Sequence, residues 1–282
     1  MKYLLPITVF LLMIAIGMSL KPSELLRHWR KLMGWAWLRL LAATFIIPPM
    51  VAMLIERTLP LDWGEVVGLF LLSVVPGAPL TSRVAEKRGF DLQIAASYQV
   101  SSALLMPLMI PLVVYASGRL YNRNIWIPPR LLFVHIAENQ FLPLLIGLGM
   151  MTFATAFANK IRRPLTMVGN IMLLTVIVLM LWKMRATLAA ITPWVIVGAV
   201  ILAVCSILAI TLLLRAEPET NKTVALCNAN RHVGLALLLA GQYARARSAA
   251  PAIACYALVA PLVMLAYARM VRPKQAAQAK VA

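Results

Sequence analysis

The run Asn228-Ala229-Asn230-Arg231-His232 places four polar side chains in five residues inside an otherwise apolar stretch. Hydrocarbon supplies no hydrogen bonds, so such groups must face protein or a water-filled cavity. Arg231 and His232 would offer positive charge or N–H donors to a solute. Asn228 and Asn230 would hydrogen-bond it. The competing reading is a polar helix start near the interface, because Asn221 and Lys222 lie only two turns earlier. No proline interrupts the run, so any break there must come from packing.

A second polar interruption is Pro76-Gly77-Ala78-Pro79-Leu80-Thr81-Ser82-Arg83. Pro79 lacks an N–H and disfavours helical geometry at Ala78, so a helix should break here. The half-helix that follows would present free N–H groups beside the hydroxyls of Thr81 and Ser82. Thr81, Ser82 and Arg83 are therefore candidate solute ligands. The alternative is a proline kink from which Arg83 snorkels into a loop.

His135, Glu138, Asn139 and Gln140 form a third cluster. His135 and Glu138 are three residues apart and share a helix face. Glu138 is the one residue of the nine acidic residues deep in an apolar run. It would either carry a proton with a raised pKa or neutralise a buried cation such as Arg39. Arg39, preceded by Trp35 and Trp37, also suits a cation–π contact.

Enzyme chemistry finds no footing. There is no Gly-rich phosphate loop, HExxH or GxSxG, and Asp91 and the loop glutamates read as solvated charges. Cys205, Cys227 and Cys255 form no CxxC pair and read as inert thiols, so no metal site or cofactor is expected. The chain is not expected to be an enzyme.

The elements that must carry these clusters are membrane spans. Of 282 residues, 62% are hydrophobic and 13% charged, and the mean hydropathy is +0.85. A soluble domain of this size cannot cover so much apolar surface, whereas a bilayer makes the composition sensible. Apolar run length and charged or proline breaks predict nine spans, at 4–20, 33–55, 64–84, 92–117, 130–157, 164–182, 191–214, 221–242 and 249–270. The first reads as a retained span, since no small-residue cleavage site follows it. The tail 273–282 reads as disordered.

The net charge of +18 does not indicate nucleic acid, because the basic residues cluster at span ends. The ends that include Lys21, Lys87, Lys160, Arg215 and Arg272 hold fifteen Lys and Arg, and those with Arg57, Arg119, Lys183 and Arg245 hold nine. The richer side should be cytoplasmic, with the N-terminus outside and the C-terminus inside a plasma (inner) membrane. Arg39, Arg83 and Arg231 remain within or at the margin of spans.

Several stretches together resemble one family. Ile16-Gly17-Met18-Ser19-Leu20-Lys21-Pro22-Ser23, Pro76-Gly77 with Thr81-Ser82, Ser101-Ser102 through Met106-Pro107 to Pro111, and Asn221-Lys222-Thr223 through Gly234-Leu235-Ala236 are similar, in order and spacing, to motifs of the bile acid:sodium symporter family. That resemblance implies an all-α fold of ten helices in two inverted repeats whose broken helices cross. This chain would lack the first helix, with repeats at about 1–120 and 125–272 forming one transmembrane domain. It implies sodium ligands at Thr81, Ser82 and Ser102. The family's second-site Glu and Gln positions are occupied here by Cys227 and Arg231, which replaces a carboxylate with a cation.

The expected function is therefore secondary transport of a small organic anion by alternating access. Arg231 and Arg83 would attract the anion, and Thr81, Ser82, Ser102, Asn228 and Asn230 would hydrogen-bond it. A proton through Glu138, or no ion, is favoured for coupling over two sodium ions. The alternatives are sodium symport through one remodelled site, and a non-transporting sensor or membrane-complex subunit. The partners are the solute and the lipid bilayer, and the sequence specifies no oligomeric state.

Overall fold

The structure is a computed structural model, and its described residues are 4–19, 35–78, 81–121, 129–183, 185, 192–242 and 248–271. All regular elements among them are helical. The first is α1 (Leu4–Gly17). Next come α2 (Trp35–Thr58), α3 (Trp63–Val74), α4 (Thr81–Lys87) and α5 (Leu92–Tyr121). Then follow α6 (129–153), α7 (Thr155–Lys183), α8 (Pro193–Leu213), α9 (Pro218–Ala229), α10 (Val233–Gln242) and α11 (Ala250–Val271). Among the described residues five stretches are long and apolar enough to cross a bilayer: Trp35–Thr58, Leu92–Gly118, Pro193–Leu213, Pro218–Gly241 and Ala250–Val271.

The helices pack in two groups. In one, α1 lies against the second half of α6 and against α7. Gly17 and Gly147 face each other where α1 and α6 cross, and a Cβ on either would run into the backbone of the other helix. Small residues permit such close approach in membranes, where no hydrophobic force drives helices together. The other group contains α2, α3, α5, α8, α9, α10 and α11, with α8 packed on α2, α9 and α11. The groups meet where α1 touches α10 and where α5 touches α6.

Two helices carry π turns, α2 at Ala42–Ile46 and α6 at Ala137–Phe141. A π turn shifts the carbonyl register and often marks a functional site. In α2 it precedes Pro48 and Pro49, whose missing N–H groups already disturb the ladder.

Some boundaries differ from those the sequence suggests. The helix ends at Phe153 and restarts at Thr155, so Lys160, Arg162 and Arg163 ride on the first turns of α7 and are not in a loop. Pro164 lies inside α7 and does not end it. Glu65 is not solvated: it is buried, and its carboxylate accepts from Asp62 N, Thr192 N and the Thr192 hydroxyl. With Asp62 it forms a capping box at the start of α3 and ties that start to α8. Asp91 Oδ1 accepts from Gln93 N and Ile94 N, capping α5. The three cysteines are free, Cys227 and Cys255 buried and Cys205 half-buried. The side chains of His135 and Gln140, the 20–34 stretch and the tail from 272 lie outside the described residues.

Candidate functional site: two helix breaks that cross

Both expected breaks occur. After α3 the chain runs non-helically through Val75-Pro76-Gly77-Ala78, and α4 begins at Thr81. Gly77 adopts φ +68, the left-handed region that glycine enters without steric cost. It also lies so close to α5 that an added Cβ would sit 3.0 Å from Ser102 Cβ. The second break is shorter: α9 ends at Ala229, Asn230 caps it, and α10 starts at Val233.

The two breaks touch through their backbones. Ala78 N donates to Asn230 O at 3.1 Å, and His232 N donates to Val75 O at 3.0 Å. The Asn230 side chain adds a bond from Nδ2 to Thr81 Oγ1 at 3.0 Å. This pairing explains how α9 breaks without proline. The N–H and C=O groups it releases find partners in the other break, as buried backbone groups must.

The surrounding side chains are organised around the second break. Asn228 is fully buried, donates from Nδ2 to Ala43 O and Ser206 O, and accepts from the Tyr98 hydroxyl at 2.8 Å. Tyr256 donates to Ala229 O at 2.7 Å, closing the end of α9. Arg231 is 1% exposed. Its Nη1 donates to Thr44 O and Ser73 O, and its Nη2 to Ser206 Oγ. The α2 π turn thus delivers two carbonyls, Ala43 O and Thr44 O, to this break. His232 Nδ1 accepts from Leu235 N, which fixes the ring's proton on Nε2. That Nε2, Arg231 Nε and Thr44 Oγ1 are buried without a hydrogen-bond partner among the described residues.

Around the first break the polar groups are more exposed. Thr81 is buried and donates to Ala78 O. Ser82 is half-buried, and its N–H is capped by Gln99 Oε1 at 3.0 Å. Arg83 is exposed. Ser102 is buried on α5 and, with Trp37, Thr44, Phe45, Tyr98 and Ser101, lines a shallow crevice. Glu138 is exposed on the α6 π turn, and no bond joins it to the crossing or to half-buried Arg39. The expected Glu138–Arg39 neutralisation is therefore absent.

The structure thus assembles Thr81, Asn228, Asn230, Arg231 and His232 at one place and leaves Arg83 and Glu138 outside it. Sequence reasoning missed Thr44, Ser73, Tyr98, Ser206 and Tyr256. Thr44, Ser73, Ser206 and Tyr256 are each a lone polar group in an apolar run, Tyr98 lies in the polar stretch Ser97–Ser102, and only the tertiary fold marks them.

The sodium bile acid symporter family model matches residues 6–191, more than half of the chain. The chain belongs to this family. No curated protein matches it. The family match takes in the first break and Ser102, whereas the second break lies beyond residue 191. Membership makes the chain a multi-pass membrane protein of a transporter family, in keeping with its apolar helices. The account of Asn228 to His232 rests on geometry.

Proposed function

We propose that this protein is a secondary carrier that moves a small organic anion by alternating access, the α1–α6–α7 group moving against the other. The supporting observation is the crossing itself. Two helices are interrupted at one place and held there by the Ala78–Asn230 and Val75–His232 bonds. Broken helices at a repeat interface are where carriers of this general kind bind their solutes. The proposed arrangement has nine passes in two inverted repeats, the N-terminus outside and the C-terminus in the cytoplasm.

Three features favour an anion. The positive end of the α10 dipole faces the crossing. Arg231 adds a charge whose hydrogen-bond partners are all neutral. His232 Nε2 is a donor without an acceptor, and its ring and Val9 of α1 border the space beside Gly234, between the two groups. Arg231 acts here through its field, while Thr81, Ser82, Ser102, Asn228, Asn230 and His232 are the contacts nearer the solute path. Coupling is to a proton through Glu138, or absent.

Proteoliposome uptake across a panel of organic anions tests this reading. Saturable uptake of a panel member, markedly slowed by Arg231→Ala and by His232→Phe, is expected. Unchanged transport in Arg231→Ala removes that residue from the mechanism, and no uptake of any solute favours a sensor or complex subunit. Sodium symport through one remodelled site is the second reading. The family's character and the burial of Thr81 and Ser102 favour it. A sodium-specific rise in thermal stability, absent with potassium, would select it.

A further inference from the structure

Arg231 is among the largest fully buried side chains of the protein. It carries a permanent charge. A buried cation without a counter-ion is ordinarily prohibitive, so its surroundings must supply compensating negative potential. Its three hydrogen-bond partners among the described residues are oxygens, and none is a carboxylate: Thr44 O at 3.2 Å, Ser73 O at 3.3 Å and Ser206 Oγ at 3.0 Å. Ser73 lies one residue from the end of α3, and Arg231 itself follows the end of α9. The C-terminal end of α3, which carries partial negative charge, therefore meets the guanidinium through Ser73 O. Thr44 belongs to the π turn of α2, whose carbonyl register is shifted.

Carbonyls of unwound backbone and the C-terminal ends of half-helices are the groups with which broken-helix carriers hold small coupling cations. Here a carbonyl at the end of α3 and one from the α2 π turn, with the Ser206 hydroxyl, hold a side chain. We infer that the Arg231 guanidinium is a resident cation, occupying the crossing permanently in place of a mobile ion. It joins α2, α3, α8 and the second break around one charge, and it is a positioning residue, not a ligand of the solute. An ion that cannot leave cannot couple, so this position contributes no cation to the transport stoichiometry. This deepens the carrier reading in its account of coupling, but the crossing geometry alone carries it.

The test is chemical rescue, read as thermal stability of the purified full chain in detergent without solute. Arg231→Ala should lower Tm, and low-millimolar guanidinium or sodium should raise it saturably by several degrees. Neither should do so in the wild type, nor choline at equal ionic strength in the variant. A folded Arg231→Ala protein whose Tm responds to neither cation more than the wild type does overturns the inference. If that variant does not fold, Arg231→Lys and Arg231→Gln decide. A higher Tm for Lys supports the charge role, and an equal or lower one overturns it. Failure of the carrier reading shows separately, as absent uptake with the cation response intact.

Discussion

Asn230 Nδ2 donates to Thr81 Oγ1 at 3.0 Å, joining two helix breaks 149 residues apart in the sequence. Among the described residues the bond is one of three between the breaks and the only one made by side chains on both sides. Asn230→Ala and Thr81→Val should each destabilise, and the double variant should lose less than the sum. A coupling of about 1 kcal/mol is expected for a hydrogen bond of this kind. Thermal or denaturant unfolding of the four proteins measures it, and strict additivity would show that the bond contributes nothing.

Gly77 sits at φ +68 with Ser102 against it. Gly77→Ala should cost about 1–2 kcal/mol from the left-handed torsion alone, with the Ser102 contact added. Ser102→Gly in the same chain would relieve the contact but not the torsion. Partial recovery of Tm in that double variant is therefore expected, and full recovery would mean that torsion does not matter here.

Gly17 and Gly147 let α1 and α6 approach at backbone distance. Gly147→Ala should force the helices apart and lower stability by about 1–3 kcal/mol. Gly149, two residues on, has open space where its Cβ would be. Gly149→Ala should be neutral or slightly stabilising, as alanine favours helix. Equal Tm changes in the two variants would contradict the close packing.

Glu65 is buried at the start of α3 and accepts from Asp62 N and from two groups of Thr192. Glu65→Ala removes half of a capping box and leaves Thr192 N without its partner. A loss of about 2 kcal/mol is expected. Thr192→Val should cost less, because the Thr192 N–H bond to Glu65 survives. The reverse order in unfolding experiments would assign the link to the hydroxyl.

The sequence made the first break legible because proline and glycine have local causes: a missing N–H at Pro79 and a torsion that Gly77 adopts freely. The second break was legible only as misplaced polarity, since its cause is the first break, which is remote in the chain. Arg231 was readable as a charge at membrane depth, but not as one turned inward upon carbonyls. Backbone acceptors carry no signature in side-chain letters, and neither does a π turn. Glu65 illustrates the converse. Its position near a span end fits solvation equally well, and only the arrival of Thr192 from another helix distinguishes the two.

A joint made of main-chain atoms is indifferent to the residues that carry it. Val75, Ala78, Asn230 and His232 contribute N–H and C=O groups that nearly every residue type possesses. The architecture can therefore persist while the chemistry hung upon it is exchanged. Such a crossing is inherited as shape, and comparison by letters loses it sooner than comparison by geometry.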